Sequence, residues 1–145
     1  VHRATGPSLN DLPGWLDGRW EIKRVINGGE GRFTGDAVFQ SAEDGGAVWR
    51  ETGRLVLAGF DGPVHRTLLL GRGAAPGAWQ VRFDDGRPFH SLDLRTGCWS
   101  AEHQCGPDVY RGRFAVLDPA WMTICWQVTG PARADVIATD YRRTA

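Results

Sequence analysis

GRWEIKRVINGGEGRFTGDAVFQ, residues 18–40, settles the fold class. Its first half alternates strictly: Trp20, Ile22, Arg24 and Ile26 fall on one face, and Arg19, Glu21, Lys23 and Val25 on the other. A period of two marks a strand, because successive side chains leave an extended backbone on opposite sides. Asn27-Gly28-Gly29-Glu30-Gly31 then supplies turn residues, and Phe33, Gly35, Ala37 and Phe39 resume the alternation. Two such runs joined by a short glycine-rich link read as a hairpin.

The same pattern continues outward from this hairpin. Upstream, SLNDLPGWLDG carries Leu12, Trp15 and Leu16 at helical spacing, with Ser8 or Asn10 as N-cap. Pro13 and Gly14 hold that helix to a turn or two. Downstream, a long run from Ala47 to Gly59 predicts a strand, with Gly53 as a bulge or bend. Phe60-Asp61-Gly62-Pro63 reads as a turn, and Val64 opens the next strand. Further alternating runs begin at Ala78, Phe89, Cys98, Val109, Trp121 and Asp135, and nearly every break carries Gly, Pro or Asp. About ten strands with short links predict an all-β chain. Long strands would expose unpaired edges, and closure removes them. The expectation is therefore an antiparallel up-and-down β-barrel of about eight to ten strands, wide enough for a small ligand. One domain spans residues 1–145, with a helical segment over 1–17 and the barrel over 18–143.

Composition narrows the function. The formal charge is zero and the basic residues are scattered, which argues against a nucleic-acid footprint or a polybasic membrane patch. No apolar run approaches the ~20 residues of a spanning helix. Cys98, Cys105 and Cys125 form no disulfide framework. With no leader visible, the expected setting is cytoplasmic. The expected partner is a small molecule, with neither nucleic acid nor membrane, and a homodimer is left open. Seven tryptophans suit both a thick core and the wall of an aromatic-ligand pocket.

The chain resembles the calycin group. Gly18-Arg19-Trp20 follows a short helical segment and opens the first strand, as Gly-x-Trp does in lipocalins and their kin. The resemblance implies that Trp20 closes one end of a calycin-like barrel and that Arg142 or Arg143, from the last strand, packs over it. A second resemblance covers nearly the whole chain. Gly31 to Gly35, Arg50 to Gly53, Asp85-Gly86-Arg87-Pro88-Phe89-His90, His103 to Tyr110, Trp126 to Pro131 and Tyr141-Arg142 are similar to the motifs of a domain-of-unknown-function family. That family implies no activity.

Candidate site residues follow from polar groups on apolar faces. Arg24 shares its face with Trp20, Ile22 and Ile26, and Glu51 shares its face with Trp49, Leu55 and Leu57. An interior charge needs a partner, so Arg24 and Glu51 are expected to pair. Trp49, Arg66, Trp126 and Tyr141 complete the expected ligand-binding set. His90 alternates with Leu92 and Leu94 and is expected to point inward. His103, Tyr110 and His90 are the candidate acid–base groups, from segments expected to gather at one barrel mouth. His103 and Cys105 stand two apart, and with His90 they would make a His2Cys metal set. Haem ligation by a histidine is a further alternative. No cofactor is expected. No phosphate-binding loop, nucleophile elbow or dinucleotide fingerprint is present. The leading expectation is binding of a small apolar molecule, aromatic or anionic, inside the barrel. A cofactor-free isomerase, cyclase or lyase and a metal or haem protein remain as alternatives.

Overall fold

Extended backbone dominates from Gly18 onward, as the alternation requires. The computed structural model describes residues 8–144, so the part of the expected helical segment over 1–7 lies outside the described residues. A helix, α1 (Leu12–Leu16), precedes ten strands: β1 (Gly18–Ile26), β2 (Gly31–Ser41), β3 (Ala47–Leu57), β4 (Phe60–Arg72), β5 (Trp79–Phe83), β6 (Pro88–Leu92), β7 (Cys98–Cys105), β8 (Asp108–Asp118), β9 (Trp121–Gly130) and β10 (Arg133–Arg143). They form one antiparallel sheet in the order β6-β5-β4-β3-β2-β1-β10-β9-β8-β7. The first and last strands pair from Trp20 opposite Arg143 to Ile26 opposite Ile137. The barrel is nearly closed, and its seam falls between β6 and β7. There the Trp99 indole N–H donates to the Ser91 carbonyl at 2.7 Å.

Three local expectations are corrected. The helix N-cap is Asp11, whose Oδ1 accepts from the Gly14 N–H at 3.3 Å; neither Ser8 nor Asn10 fills that place. Phe60 to Pro63 is strand, not turn. The chain reverses one step earlier, at Ala58 and Gly59, with φ of 48° and 85°. Two left-handed residues match the twist of the flanking strands, and Leu57 then pairs with Phe60. Pro63 is tolerated because β5 covers only Leu68 to Arg72, leaving this half of β4 with a free edge. Gly53 is not a bulge: β3 keeps its register with β2 throughout, and Gly53 sits opposite Gly35. A Cβ on Gly35 would lie 2.1 Å from the Thr52 carbonyl oxygen, and one on Gly53 2.2 Å from that of Thr34. Glycine is required here for close approach as the sheet coils.

One end of the barrel is packed solid. Trp20, Phe39, Leu70, Trp79, Leu92 and Met122 are buried there. α1 lies across this end with Leu12, Trp15 and Leu16 buried. The Trp15 and Trp20 rings are 5.2 Å apart, and the Trp20 indole N–H donates to the Leu16 carbonyl at 2.8 Å. Arg143 is the arginine over Trp20, its guanidinium carbon 4.2 Å from the ring centre. It also donates to the carbonyls of Asp17 and Trp15. Arg142 covers Trp121 instead. Consecutive residues point to opposite faces of a strand, so only one of the two can reach the plug.

Candidate functional site

Beyond the packed end the barrel is hollow, with a cavity of about 290 Å³. Its two walls differ in chemistry. Strands β1, β3, β4 and β10 contribute Arg24, Glu51, Arg66, Thr139 and Tyr141; strands β6, β8 and β9 contribute Phe89, His90, Tyr110, Phe114 and Trp126.

Glu51 organises the ionic wall. It is 1% exposed and accepts from Arg24 Nη2 at 2.9 Å, from Arg66 Nε at 2.9 Å, from Trp49 Nε1 at 3.0 Å and from the Tyr141 hydroxyl. Arg24 also donates through Nε to Thr139 Oγ1 at 2.8 Å and through Nη2 to the Tyr141 oxygen at 3.1 Å. Burial alone would push the Glu51 carboxyl up. The charges of Arg66 and Arg24, with the Tyr141 hydrogen bond, overturn that and hold it at about 2. Burial and the neighbouring Glu51 charge push the Tyr141 hydroxyl far up, so it stays a neutral donor. The expected Arg24–Glu51 pair therefore forms, and Arg66 and Tyr141 join it.

This wall carries unbalanced charge. Two guanidiniums face one carboxylate, leaving a net positive charge at the cavity. Among the described residues, Arg24 Nη1 makes no hydrogen bond to protein, and Arg66 is tied to Glu51 through Nε with the Tyr141 hydroxyl beside it. Arg66 lies on the half of β4 that β5 leaves uncovered, and 43% of its side chain remains exposed. It can reach a ligand without releasing Glu51.

The opposite wall is built of rings. Phe89 stacks between Phe83, at 4.6 Å, and Trp126, at 5.2 Å. Trp126 lies over Gly112, where a Cβ would fall 2.7 Å from the indole. The β5–β6 ladder slips a residue: Val81 pairs with His90, but Arg82 pairs with Pro88. Phe89 is the extra residue of this bulge, so both Phe89 and His90 line the cavity. Strict alternation would have sent Phe89 outside, which is why sequence reasoning missed it. Bulges re-aim side chains in this way.

His90 is 4% exposed, and its ring packs edgewise on Phe89 and Trp126. Its Nδ1 lies 2.8 Å from the Ser91 carbonyl oxygen. A carbonyl only accepts, so Nδ1 carries the proton and Nε2 keeps its lone pair. Burial lowers the imidazole to about 4, and it is neutral at pH 7. Tyr110 lines the cavity with its hydroxyl accepting from Arg133 at 2.9 Å.

The expected gathering of His103, Tyr110 and His90 is only partial. His103 packs against Phe83, Phe89 and Tyr110 but does not line the cavity. It belongs to the seam, because β6 and β7 are not paired. The His90, His103 and Cys105 metal set does not assemble. Cys105 is exposed at the end of β7, and among the described residues no three His, Cys, Asp or Glu side chains converge. Thr139 was also missed, although its place two residues before Tyr141 on the last strand puts both on one face.

Solved structures agree with this architecture. The S-type phycobiliprotein lyase CPES from Guillardia theta superposes with a TM-score of 0.65 at 9% identity, covering 96% of this chain and 94% of that one. A de novo designed fluorescence-activating β-barrel gives 0.54 at 13% identity, over 92% and 98% of the two chains. The redesigned barrel mFAP1, bound to DFHBI, gives 0.51 at 11% identity, over 90% and 97%. At such identities the likeness concerns the fold alone, a calycin-like barrel. No curated protein matches the sequence. The family of unknown function DUF6314 matches residues 16–143, and the chain belongs to that family.

Proposed function

We propose that the barrel binds a small aromatic carboxylate, with its anionic end on Arg66 and Arg24 and its ring against Phe89 and Trp126. The observation that carries this reading is the pair of guanidiniums sharing one carboxylate beside an apolar cavity. A surplus positive charge beside an apolar cavity is incompletely solvated, and a bound anion relieves it. The cavity is at the lower end of the size range for small-molecule sites. The barrels of similar fold described as fluorescence-activating or bound to DFHBI support the general plausibility of a conjugated guest.

The test is tryptophan-fluorescence titration with naphthoate and its uncharged isostere naphthamide. Wild-type protein should bind the acid at least about tenfold more tightly, as expected for a charge-assisted hydrogen bond. Arg66→Met should abolish that preference while leaving the Arg24–Glu51 pair. Equal affinity for acid and amide, or no binding of either, would refute the reading. Acid–base catalysis in the same cavity is the second reading, favoured by the neutral His90 with a free Nε2. It requires turnover of a bound acid, which binding alone does not.

A further inference from the structure

We propose that His90 selects among such acids by accepting a hydrogen bond from a ring hydroxyl, so that the preferred ligand is a hydroxyaromatic acid. This rests on the reading that the cavity holds an aromatic carboxylate. The Ser91 carbonyl fixes the tautomer, because it can accept only from a protonated Nδ1. Nε2 is then an acceptor with no protein donor among the described residues. Among those residues the only fully buried side-chain polar atom without a partner is the Trp79 indole nitrogen, so Nε2 is not sealed off. We place this lone pair at the cavity that His90 lines.

On the ring wall and at Glu51 the other acceptors are already engaged, while His65, which also lines the cavity, stands on β4 and not on the ring wall. Both Glu51 oxygens hold two donors each. The Tyr141 and Tyr110 oxygens accept from Arg24 and Arg133. Phe89, Phe114, Ile124 and Trp126 offer no acceptor, since an indole N–H only donates. A ring packed against the cavity-facing edges of Phe89 and Trp126 thus meets a single open lone pair on that wall, held at a fixed angle by the Ser91 bond and the edgewise contacts to Phe89 and Trp126. The β-bulge brings the Phe89 ring to the cavity beside this acceptor, which alternation with Leu92 already turns inward. An apolar ligand would shut Nε2 away from water with no partner, and a hydroxylated one would not. Two anchors of different kind result: cation for carboxylate on β1 and β4, and acceptor for hydroxyl on β6.

The experiment compares naphthoate with a set of ring-hydroxylated naphthoates, hydroxyl position varied, on the full chain. At least one hydroxy acid should bind wild-type protein about tenfold more tightly than naphthoate. In His90→Phe that preference should vanish, the ratio of hydroxy-acid to naphthoate affinity falling to about one whatever the change in naphthoate affinity itself. In wild-type protein, the His90 Nε2 nitrogen resonance should move upfield more with the preferred hydroxy acid than with naphthoate. This second readout needs no variant and decides the matter if His90→Phe does not fold. Naphthoate binding with no hydroxy isomer preferred, or a preference that survives in His90→Phe, or an Nε2 resonance equally placed in both complexes, overturns the inference. Failure of naphthoate and every hydroxy acid to bind would instead refute the underlying carboxylate site.

Discussion

Replacing Glu51 by glutamine removes the single negative charge shared by Arg24 and Arg66 while keeping the side chain's shape. The structure holds the Glu51 carboxyl at about 2, against an ordinary 4.5. Linkage turns that difference into about 3 kcal/mol of folding stability. The sign follows from the direction. The unfolded chain takes up the proton first, so the stabilisation is full above pH 4.5 and drains as pH falls towards 2. At pH 7, Glu51→Gln should therefore cost about 3 kcal/mol, in the range for breaking one partner out of a buried pair. The assay is urea unfolding of both proteins at closely spaced pH values. Asp85, Asp93 and Asp135 are also held low, by bonds from Arg87, Arg95 and Asn27, but they are common to both proteins and cancel in the difference. The wild-type advantage should be flat above about pH 5, shrink between about pH 4.5 and 2, and be small below. Parallel curves across that whole window, or a loss at pH 7 under about 1 kcal/mol, would refute the account of Glu51 as the charged centre of the ionic wall.

Other perturbations probe the plug, the ring wall and the imidazole. Arg143→Ala removes the cation over Trp20 and the bonds to the Trp15 and Asp17 carbonyls, and should cost about 1–2 kcal/mol by thermal unfolding, with an unchanged Tm counting against the plug. Gly112→Ala places a methyl 2.7 Å from the Trp126 indole, so the ring must shift. Naphthoate affinity should fall and tryptophan emission should change, and retention of both would show that Trp126 does not shape the cavity. His90 should titrate near 4 by NMR. Because its folded value lies below the unfolded 6.5, its contribution to stability is present above 6.5 and lost as pH falls towards 4; a midpoint near 6.5 would contradict its burial.

The strands, and through them much of the ionic wall, were legible in the chain before any coordinates. Period two assigns a face to each residue without knowledge of partners. Arg24 with Ile22, Glu51 with Trp49, and Thr139 with Tyr141 are facts of parity along single strands. The Gly-x-Trp start and the terminal arginines announced the plug, although parity had to choose Arg143 over Arg142. What depends on registration between strands emerged only in the folded barrel. Whether a glycine bends a strand or lets two strands touch is set by what lies opposite, and Gly53 meets Gly35. The reversal at Ala58-Gly59 and the bulge at Phe89 are each slips of a residue or two, which no periodicity in one strand records. The seam between β6 and β7 moved His103 away from the cavity that His90 lines. One physical reason covers all of these. Which side of a strand a residue occupies is local chemistry, whereas what it faces across the barrel depends on how ten strands share hydrogen bonds.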